Sequence, residues 1–340
     1  MRFKVALVGY EGQSIPGWVF ERMEAERITF VVCECTTRDE LITAAKDADL
    51  IWVFGGSRIL LDGNSGDHLG SLPECGAILR TGSGTDNIPV ESATRLGIVV
   101  ANTPEALNDA VSDHTVGLLM AVVRQIALQD RAVRSRIWDR NHGFPRSPLR
   151  GRTLGLIGLG HIARAVVRKM SGFQLHFLAH DPYVSPDVLK STSVSPVELD
   201  QLLTRSDFIS LHCPLTKETT HLIGERELRL MKSKAVLINT SRGGVLDEAA
   251  LFKALTEGWI AAAGLDVLEK EPPDWDNPLL SLKNVVLTPH IAGFSDDYLR
   301  ESWHFSVDTV VALAHQHWPR SCVNRKVRPR WNLTPAQQTQ

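Results

Sequence analysis

The chain has 340 residues, of which 43% are apolar and 22% charged, a balance typical of a globular protein of about two domains. The formal net charge of −2 leaves no basic surplus to suggest nucleic-acid binding, and the basic run Arg325–Arg330 is interpreted as a solvated tail. No apolar run approaches the ~20 residues of a membrane span, and the N-terminal MRFKVALVGYEG is interpreted as a strand and not as a signal peptide.

The five cysteines are odd in number and include no C-x-x-C pair, which indicates neither a disulfide framework nor a zinc site. No metal is therefore expected. A chain with such cysteines fits a reducing cytoplasm best. Neither a nucleic acid nor a membrane is expected as a partner.

Strand-like and helix-like segments alternate along the chain, which predicts an α/β architecture with parallel sheets. The first hundred residues hold enough strand candidates for a small doubly wound domain. These candidates are Phe3–Val8, Ile28–Val32, Leu50–Phe54, Ala77–Arg80 and Ile98–Ala101.

A long helical pattern then runs from about Pro104 to Ile137, and it is too long to lie inside one small domain. The next strand candidates match a full dinucleotide-binding sheet. They are the six segments Thr153–Ile157, Leu175–Ala179, Phe208–Leu211, Ala235–Asn239, Ala261–Leu265 and Val285–Thr288. A last helix is predicted over about Ser295–Gln316.

The first strand of this second set leads into a glycine-rich loop, Gly158-Leu-Gly160-His-Ile-Ala163, followed at once by a helical pattern. This is G-x-G-x-x-A in the strand–turn–helix context that dinucleotide binding needs. Gly158 allows the tight turn, Gly160 lets the backbone approach a pyrophosphate, and Ala163 lets the helix pack on the strand. Phosphates then lie at the helix N-terminus, where free N–H groups favour anions.

An acidic residue completes this motif. Asp181 lies 23 residues beyond Gly158, at the end of the next strand, where a carboxylate binds the adenosine ribose hydroxyls. Neither Pro182 nor Tyr183 is a cation that would attract a 2′-phosphate, so NAD is favoured over NADP. The glycines Gly9 and Gly12 near the start have the wrong spacing and are interpreted as a structural turn.

Polar residues follow three later strands. Thr240 and Arg242 follow the strand in AVLINTSRGG. Asp266 and Glu271 follow the strand in AAAGLDVLEKEPP, and His290 follows the strand in NVVLTPHIAG. Because the carboxyl ends of parallel strands share one edge of the sheet, these side chains are expected beside the dinucleotide.

Hydride transfer to a 2-oxo acid would use such a set. Arginine provides a planar clamp for a carboxylate, and histidine provides a proton to the carbonyl oxygen near neutral pH. A carboxylate such as Glu271 would hold the other ring nitrogen. Taken singly, Arg242 could be a surface ion pair, Glu271 a solvated loop acid, and His290 a buried histidine.

Motifs along nearly the whole chain resemble those of the D-isomer-specific 2-hydroxyacid dehydrogenases. This family contains phosphoglycerate, glyoxylate/hydroxypyruvate and D-lactate dehydrogenases. The matching stretches, in order, are LRTGSGTDNI, GIVVANTP, TLGLIGLGHIARAV, ISLHCPLTKETTHLI, LINTSRGGVLDEAAL, GLDVLEKEPP and LTPHIAG.

The resemblance implies roles for the matching positions. Arg242 would bind the substrate carboxylate and carbonyl, and His290 would be the general acid/base with Glu271 as its partner. The implied cofactor contacts are Gly158, Gly160, His161, Ile162, Asp181, His212, Pro214, Thr219, Thr240, Arg242, Asp266 and His290. The implied substrate contacts are Gly55, Gly56, Ser57, Gly82, Arg242 and His290.

The family's architecture implies two doubly wound domains, a Rossmann NAD-binding domain inserted into a flavodoxin-like substrate domain. The substrate domain would comprise residues 1–103 and 294–340, and the NAD-binding domain residues 104–293. The active site would lie in the cleft between them, and a homodimer through the cofactor domain is expected. The sequence departs from the usual family pattern at Ala163 and Asp113, which puts the local helix contacts of Asp113 in question.

Three questions stay open at this point. A non-enzymatic, NAD-sensing corepressor-like protein can keep the same residues, and a formate or phosphite dehydrogenase is a further alternative, although Glu271 argues against the formate enzymes. Glyoxylate, hydroxypyruvate and phosphohydroxypyruvate are all possible substrates. Arg58, Arg80 and Trp303 are candidates for the pocket wall.

Overall fold

A computed structural model of the protein describes residues 2–10, 15–35, 37–54, 67–143, 148–295 and 297–335. The chain divides into two compact units. The first comprises residues 1–107 and 295–340, and the second comprises residues 108–294. The expected substrate contacts Gly55, Gly56 and Ser57, together with Arg58 and Gly12, lie outside the described residues.

The first unit is built on a five-stranded parallel sheet in the order β2-β1-β3-β4-β5. Its strands begin and end within two residues of the predicted ones, because buried parallel strands are continuous apolar runs bounded by turns. They are β1 (Lys4–Val8), β2 (Thr29–Cys33), β3 (Leu50–Phe54), β4 (Ala77–Thr81) and β5 (Val99–Asn102). This strand order is that of the flavodoxin-like folds, as expected.

The α-helices in the described part of this unit are α1 (Gly17–Ala25), α2 (Arg38–Ala45), α3 (Val90–Arg95) and α11 (Tyr298–Ala314). The start of α2 shows how the sequence fixes a helix end. The hydroxyl of Thr37 accepts from the N–H of Glu40, and the Glu40 carboxylate accepts from the N–H of Thr37. This capping box satisfies two backbone donors that the helix itself leaves unpaired.

Trp303 is wrong as a candidate for a pocket wall. Its side chain is 0% exposed, and it packs in the core of the first unit between Trp52 and Phe54 at ring-centroid distances of 5.2 and 4.7 Å. An indole on α11 faces the sheet because the apolar face of that helix is buried against it. Arg80 is partly buried, and its Nη1 donates to the carbonyl of Thr81.

The second unit contains a seven-stranded parallel sheet in the order β12-β11-β10-β9-β6-β7-β8. Its strands are β6 (Thr153–Ile157), β7 (His176–His180), β8 (Val194–Pro196), β9 (Phe208–Leu211), β10 (Val236–Asn239), β11 (Ala262–Leu265) and β12 (Val285–Leu287). The expectation of six strands is wrong by one. The additional strand, β8, has only three residues and ends in proline, which is tolerated at a sheet edge.

The α-helices in the described part of the second unit are α4 (Asn108–Val123), α5 (Ile126–Arg134), α6 (His161–Met170), α7 (Pro186–Lys190), α8 (Leu199–Arg205), α9 (Glu225–Leu230) and α10 (Glu248–Thr256). α4 and α6 pack on one face of the sheet, and α8, α9 and α10 pack on the other. Because β6 lies between β7 and β9, the chain continues from β6 to β7 on one side and returns from β8 to β9 on the other side of β6. The crevice beyond its carboxyl end is the switch point at which such sheets bind ligands.

The prediction of one helix from Pro104 to Ile137 is wrong. Residues 104–107 form a 3-10 turn, and α4 and α5 are separate helices that meet at 60°. The break lies at Gln125, which has a left-handed backbone with φ +58°. A left-handed residue cannot continue a right-handed helix, although the apolar spacing continues across the break.

Among the described residues no single helix is long and apolar enough to cross a membrane. The segments Pro104–Val123 and Ile126–Arg134 reach that length and apolarity only together, across the 60° bend. The inward face of α4 packs in the core of the second unit.

Candidate active site

The glycine loop lies at the carboxyl end of β6. Gly158 has φ +90°, and a Cβ atom there would lie 2.9 Å from backbone atoms of His212 and Cys213. At Gly160 a Cβ atom would meet no atom within 4 Å, so the space above this residue is open. No side chain caps α6, whose first two residues are His161 and Ile162. These features fit a dinucleotide, because free N–H groups at a helix start favour its phosphates.

Asp181 is tied directly to this loop. Its Oδ2 accepts from the N–H of Leu159 at 2.8 Å, and its Oδ1 accepts from the N–H of Tyr183 at 2.9 Å. Each carboxylate oxygen has a second lone pair, so these bonds leave Asp181 able to accept from a ribose hydroxyl. The carboxylate therefore fixes the loop, and its contact with the ribose stays a prediction.

A pocket of about 340 Å³ adjoins Asp181. It lies between the ends of β7 and β8 and the start of α8. The described residues that line it include the acids Asp181 and Glu198 and no lysine or arginine.

The segment after β9 carries three residues expected near the cofactor. His212 lies within hydrogen-bonding distance of Ser210, at 2.9 Å between Nε2 and Oγ, and burial lowers the pKa of His212 to about 4. The hydroxyl of Thr219 donates to the carbonyl of Pro214 at 2.6 Å, which closes the following loop. His212 is therefore neutral at pH 7.

The turn after β10 holds Arg242. The buried Asn239 fixes this turn, because its Oδ1 accepts from the N–H of Ser241 at 2.9 Å and its Nδ2 donates to the carbonyl of Arg242 at 2.9 Å. Arg242 Nη1 donates to the carbonyl of Ser241 at 2.7 Å. Thr240 lies beside α4, with 2.8 Å between its hydroxyl and that of Thr115. The arginine is thus held on a turn with little freedom.

His290 and Glu271 are in contact. His290 Nδ1 lies 2.6 Å from Glu271 Oε2, and Glu271 Oε1 accepts from the N–H of Leu268 at 3.0 Å. Burial alone would raise the pKa of Glu271, but its bond with His290 and the charges of His290 and Arg242 hold that pKa below its ordinary value. Glu271 is therefore ionised at neutral pH, so the hydrogen of this bond lies on Nδ1. The other ring nitrogen, Nε2, is not used by Glu271.

His290 lies in a left-handed backbone conformation, with φ +53°. Such a conformation costs a non-glycine residue about 1 kcal/mol, so the surrounding structure must hold it. The carbonyl of Asp266 accepts from the N–H of His290 at 2.7 Å. Asp266 is buried and lies at the end of β11, so it holds the backbone that carries the histidine.

Gly82 lies in the first unit, after β4. It has φ +112°, and its N–H donates to the hydroxyl of Thr103 at 2.7 Å. This N–H is therefore already engaged, and a substrate contact by Gly82 stays a prediction.

Comparison with known proteins identifies the family. Residues 116–292 match the profile of the D-isomer specific 2-hydroxyacid dehydrogenase NAD binding domain. A glyoxylate reductase of Korarchaeum cryptofilum is 42% identical over 296 residues, which cover 85% of this chain and 87% of that protein. The chain belongs to the D-isomer-specific 2-hydroxyacid dehydrogenase family.

Two further proteins are similar to this 2-hydroxyacid dehydrogenase. A D-3-phosphoglycerate dehydrogenase of Methanocaldococcus jannaschii is 43% identical over 255 residues, which are 75% of this chain but only 47% of that protein. A solved structure, an NADPH-dependent glyoxylate/hydroxypyruvate reductase of Sinorhizobium meliloti with NADP and malonate, has a TM-score of 0.79 and 30% identity. That match covers 95% of this chain and 97% of the other.

Family membership makes the chain an NAD(P)-dependent oxidoreductase with an NAD-binding domain. The matched residues contain the glycine loop, Asp181, Arg242, Glu271 and His290. At Asp113, where the dehydrogenase departs from the usual family pattern, Lys169 of α6 pairs with the carboxylate at 2.8 Å. Asp113 therefore joins α4 to α6 by an ion pair at the surface.

Sequence reasoning missed the residues that support the site from behind. Asn239 is the last residue of a strand whose other members are apolar, and His114 and Thr115 lie directly before the apolar second half of α4. Each lies within hydrogen-bonding distance of a polar group at a strand end. A polar residue at an inward position of an apolar element was the signal that could have found them.

The buried ring of His212 predicts a pH dependence of stability. The unfolded chain takes up a proton on this ring near pH 6.5 and the folded dehydrogenase only near pH 4, so stability falls as the pH falls through that window. At about 1.4 kcal/mol per tenfold change in proton affinity, the loss reaches about 2 kcal/mol at pH 5. Urea unfolding at pH 7 and pH 5 measures it, and His212→Gln should lack this part of the pH dependence. The same pH dependence in both proteins would contradict the assignment.

Proposed function

We propose that the protein is an NAD-dependent dehydrogenase that interconverts a D-2-hydroxy acid and its 2-oxo acid. His290 acts as general acid/base, Glu271 is its partner, and Arg242 binds the carboxylate and carbonyl of the substrate. The observation that carries this proposal is the 2.6 Å contact between His290 Nδ1 and Glu271 Oε2. That contact lies at the same sheet edge as the glycine loop and Arg242.

The chemistry follows from the hydrogens on His290. An ionised Glu271 keeps one hydrogen on Nδ1, so the proton that His290 transfers lies on Nε2. In the direction of reduction, Nε2 donates this proton to the carbonyl oxygen of the 2-oxo acid. In the direction of oxidation, neutral Nε2 accepts the hydroxyl proton. NADH, when bound, supplies the hydride.

Arg242 suits a substrate with a carboxylate next to a carbonyl. Its guanidinium stays charged at all relevant pH values and offers five N–H donors in a fixed plane, which matches two neighbouring oxygens. The hydrogen bond from Nη1 to the carbonyl of Ser241 holds the guanidinium against its own turn. The proposed backbone contacts to the substrate carboxylate come from Gly55, Gly56, Ser57 and the turn at Gly82.

We infer NAD as the cofactor in preference to NADP. A 2′-phosphate beside Asp181 would meet carboxylates in the adjoining pocket, and the described lining offers no lysine or arginine to compensate. The similar reductase of Sinorhizobium meliloti is NADPH-dependent, so the cofactor is tested directly on this chain.

Asp181→Ser is expected to reduce the preference for NADH over NADPH by about 5- to 30-fold in kcat/KM. It removes a charge that repels the 2′-phosphate, and one like-charge contact of this kind costs on the order of 1–2 kcal/mol. Asp187→Ser is the matched control, since Asp187 lies six residues further along, on α7, and pairs with the exposed Lys190. A wild-type preference for NADPH would contradict the assignment.

The substrate is tested by NADH oxidation with 2-oxo acids that differ in size and charge, repeated with NADPH. Glyoxylate, hydroxypyruvate and phosphohydroxypyruvate span the range that the relatives suggest. Turnover with any of them supports the proposal. No turnover across the panel, together with a stable protein partner, would favour the NAD-sensing corepressor alternative.

We also propose a homodimer through the second unit. Large apolar side chains are exposed on α5 and just beyond it: Ile126, Val133, Ile137 and Trp138. Ile126 and Val133 lie seven residues apart on one face of α5, and grouped apolar side chains of this kind mark interaction surfaces.

Trp138→Asp is expected to weaken the dimer at least tenfold, because it places a charge in an apolar interface. Sedimentation velocity over a concentration series measures the change. Trp275→Asp is the control, since Trp275 is equally exposed, at 86% against 83%, but lies after Glu271. A wild-type monomer at every concentration would contradict the dimer.

A further inference from the structure

The segment that carries His290 is held by one buried carboxylate. We call residues 288–292 the His290 turn. Asp266, which is 2% exposed, accepts from this turn with both side-chain oxygens: Oδ1 from the N–H of Ile291 at 3.0 Å and Oδ2 from the N–H of Ala292 at 2.9 Å. With the bond from the N–H of His290 to its carbonyl, Asp266 accepts from three successive residues.

The hydroxyl of Thr288 joins this carboxylate to α4. Thr288 Oγ1 donates to Asp266 Oδ1 at 2.5 Å, and His114 Nε2 lies 3.0 Å from Thr288 Oγ1. A hydroxyl has one hydrogen, and Thr288 gives it to the carboxylate. His114 must therefore carry a hydrogen on Nε2 and donate it to the hydroxyl.

His114 also faces the carboxylate directly, with Nε2 3.5 Å from Asp266 Oδ1. In the part of the chain that the structure describes, His114 is the one basic side chain within ion-pair distance of Asp266. A carboxylate that is buried away from water needs hydrogen-bond donors, because burying it without them costs folding free energy. His114 thus supports Asp266 both through Thr288 and by direct attraction.

We propose that His114 is a positioning residue for the His290 turn, acting through Thr288 and Asp266. This inference rests on the proposed function, in which His290 moves the proton. His290 has an unfavourable left-handed backbone, so the aim of its ring depends on the bonds that hold the turn. His114 stabilises the acceptor of those bonds from α4, a helix that packs in the core of the second unit.

The test compares two replacements of His114. His114→Leu removes the donor, whereas glutamine can place an amide N–H near the position of Nε2, so His114→Gln keeps it. Thr288→Val removes the hydroxyl from the same series of hydrogen bonds with little change of side-chain volume. It replaces His114→Leu in the test if that variant does not fold. His176→Leu, at the exposed start of β7, is the control.

Two readouts are taken. Hydrogen exchange of peptides that cover the His290 turn is expected to speed up at least tenfold in His114→Leu and Thr288→Val, and to stay within threefold of wild type in His114→Gln and the control. With a 2-oxo acid, kcat is expected to fall at least tenfold in the first two variants, with KM within threefold, and glutamine restores it.

The outcomes separate the two hypotheses. Unchanged exchange in His114→Leu and Thr288→Val would overturn the positioning role, whatever the activity of the wild type. Wild-type protein that oxidises no NADH with any 2-oxo acid would overturn the proposed function, whatever the exchange rates. Faster exchange with unchanged kcat would also overturn the inference, since the turn would then move without affecting His290.

Discussion

Replacing His290 with glutamine is expected to lower kcat for 2-oxo acid reduction by about 10²–10⁴-fold, the range that a positioned acid–base group contributes. Glutamine fills similar space and can still donate to Glu271, but it has no proton to transfer. The glycine loop and Asp181 are untouched, so NADH should still bind with an affinity within a few-fold of wild type. Steady-state NADH oxidation and a fluorescence titration with NADH measure the two quantities.

His176→Gln is the matched control for His290→Gln. His176 is an exposed histidine of the same unit, at the opposite end of the sheet strands, and its replacement should leave kcat unchanged. Full activity in His290→Gln would remove His290 from the mechanism. Loss of NADH binding in step with activity would instead show a disturbed cofactor site.

The second large effect is expected at Arg242. Arg242→Lys should lower kcat/KM for 2-oxo acids by about 10- to 150-fold, because it loses one of two hydrogen bonds to the substrate oxygens and a hydrogen bond to a charged group contributes about 1.5–3 kcal/mol. Lysine keeps the charge but lacks the planar pair of donors, so its ammonium cannot bind two oxygens side by side. The loss should appear in both KM and kcat, since Arg242 is proposed to contact the carboxylate and the carbonyl.

Arg226→Lys controls for the general effect of replacing an arginine. Arg226 forms exposed ion pairs with Asp200 and Glu227 on the surface of the same unit, and such pairs contribute little. Its kcat/KM should stay within twofold of wild type. An Arg242→Lys enzyme as active as this control would refute the role of the guanidinium.

The strands were predictable because each is a buried apolar run with a clear end. Where that signal fails, the prediction fails with it. β8 has three residues and a proline, too little for a pattern, and the break at Gln125 is a backbone conformation that apolar spacing does not register. Trp303 was assigned to a pocket because sequence does not show which face of α11 meets the sheet.

The site was predictable in its members more than in its contacts. Parallel strands bring their carboxyl ends to one edge, which places Arg242, Glu271 and His290 near one another from the order of motifs alone. The 2.6 Å contact depends on how the loop between Asp266 and Glu271 folds back, and no local pattern encodes that. His114 lies 174 residues before Thr288 and meets the site only through tertiary packing. Asn239 lies only three residues before Arg242, but the apolar pattern of its strand does not show that its amide fixes the following turn.

The measurement that tests the central claim most directly is the fate of a labelled hydride. Wild-type protein is incubated with NADH deuterated at the transferred position and with hydroxypyruvate, or with the best substrate of the panel whose reduced carbon is a stereocentre. We predict a 2-hydroxy acid of D configuration that carries deuterium at C2, with one NADH oxidised for each molecule formed. An L product, or NADH oxidation without deuterium at C2, would contradict the assignment.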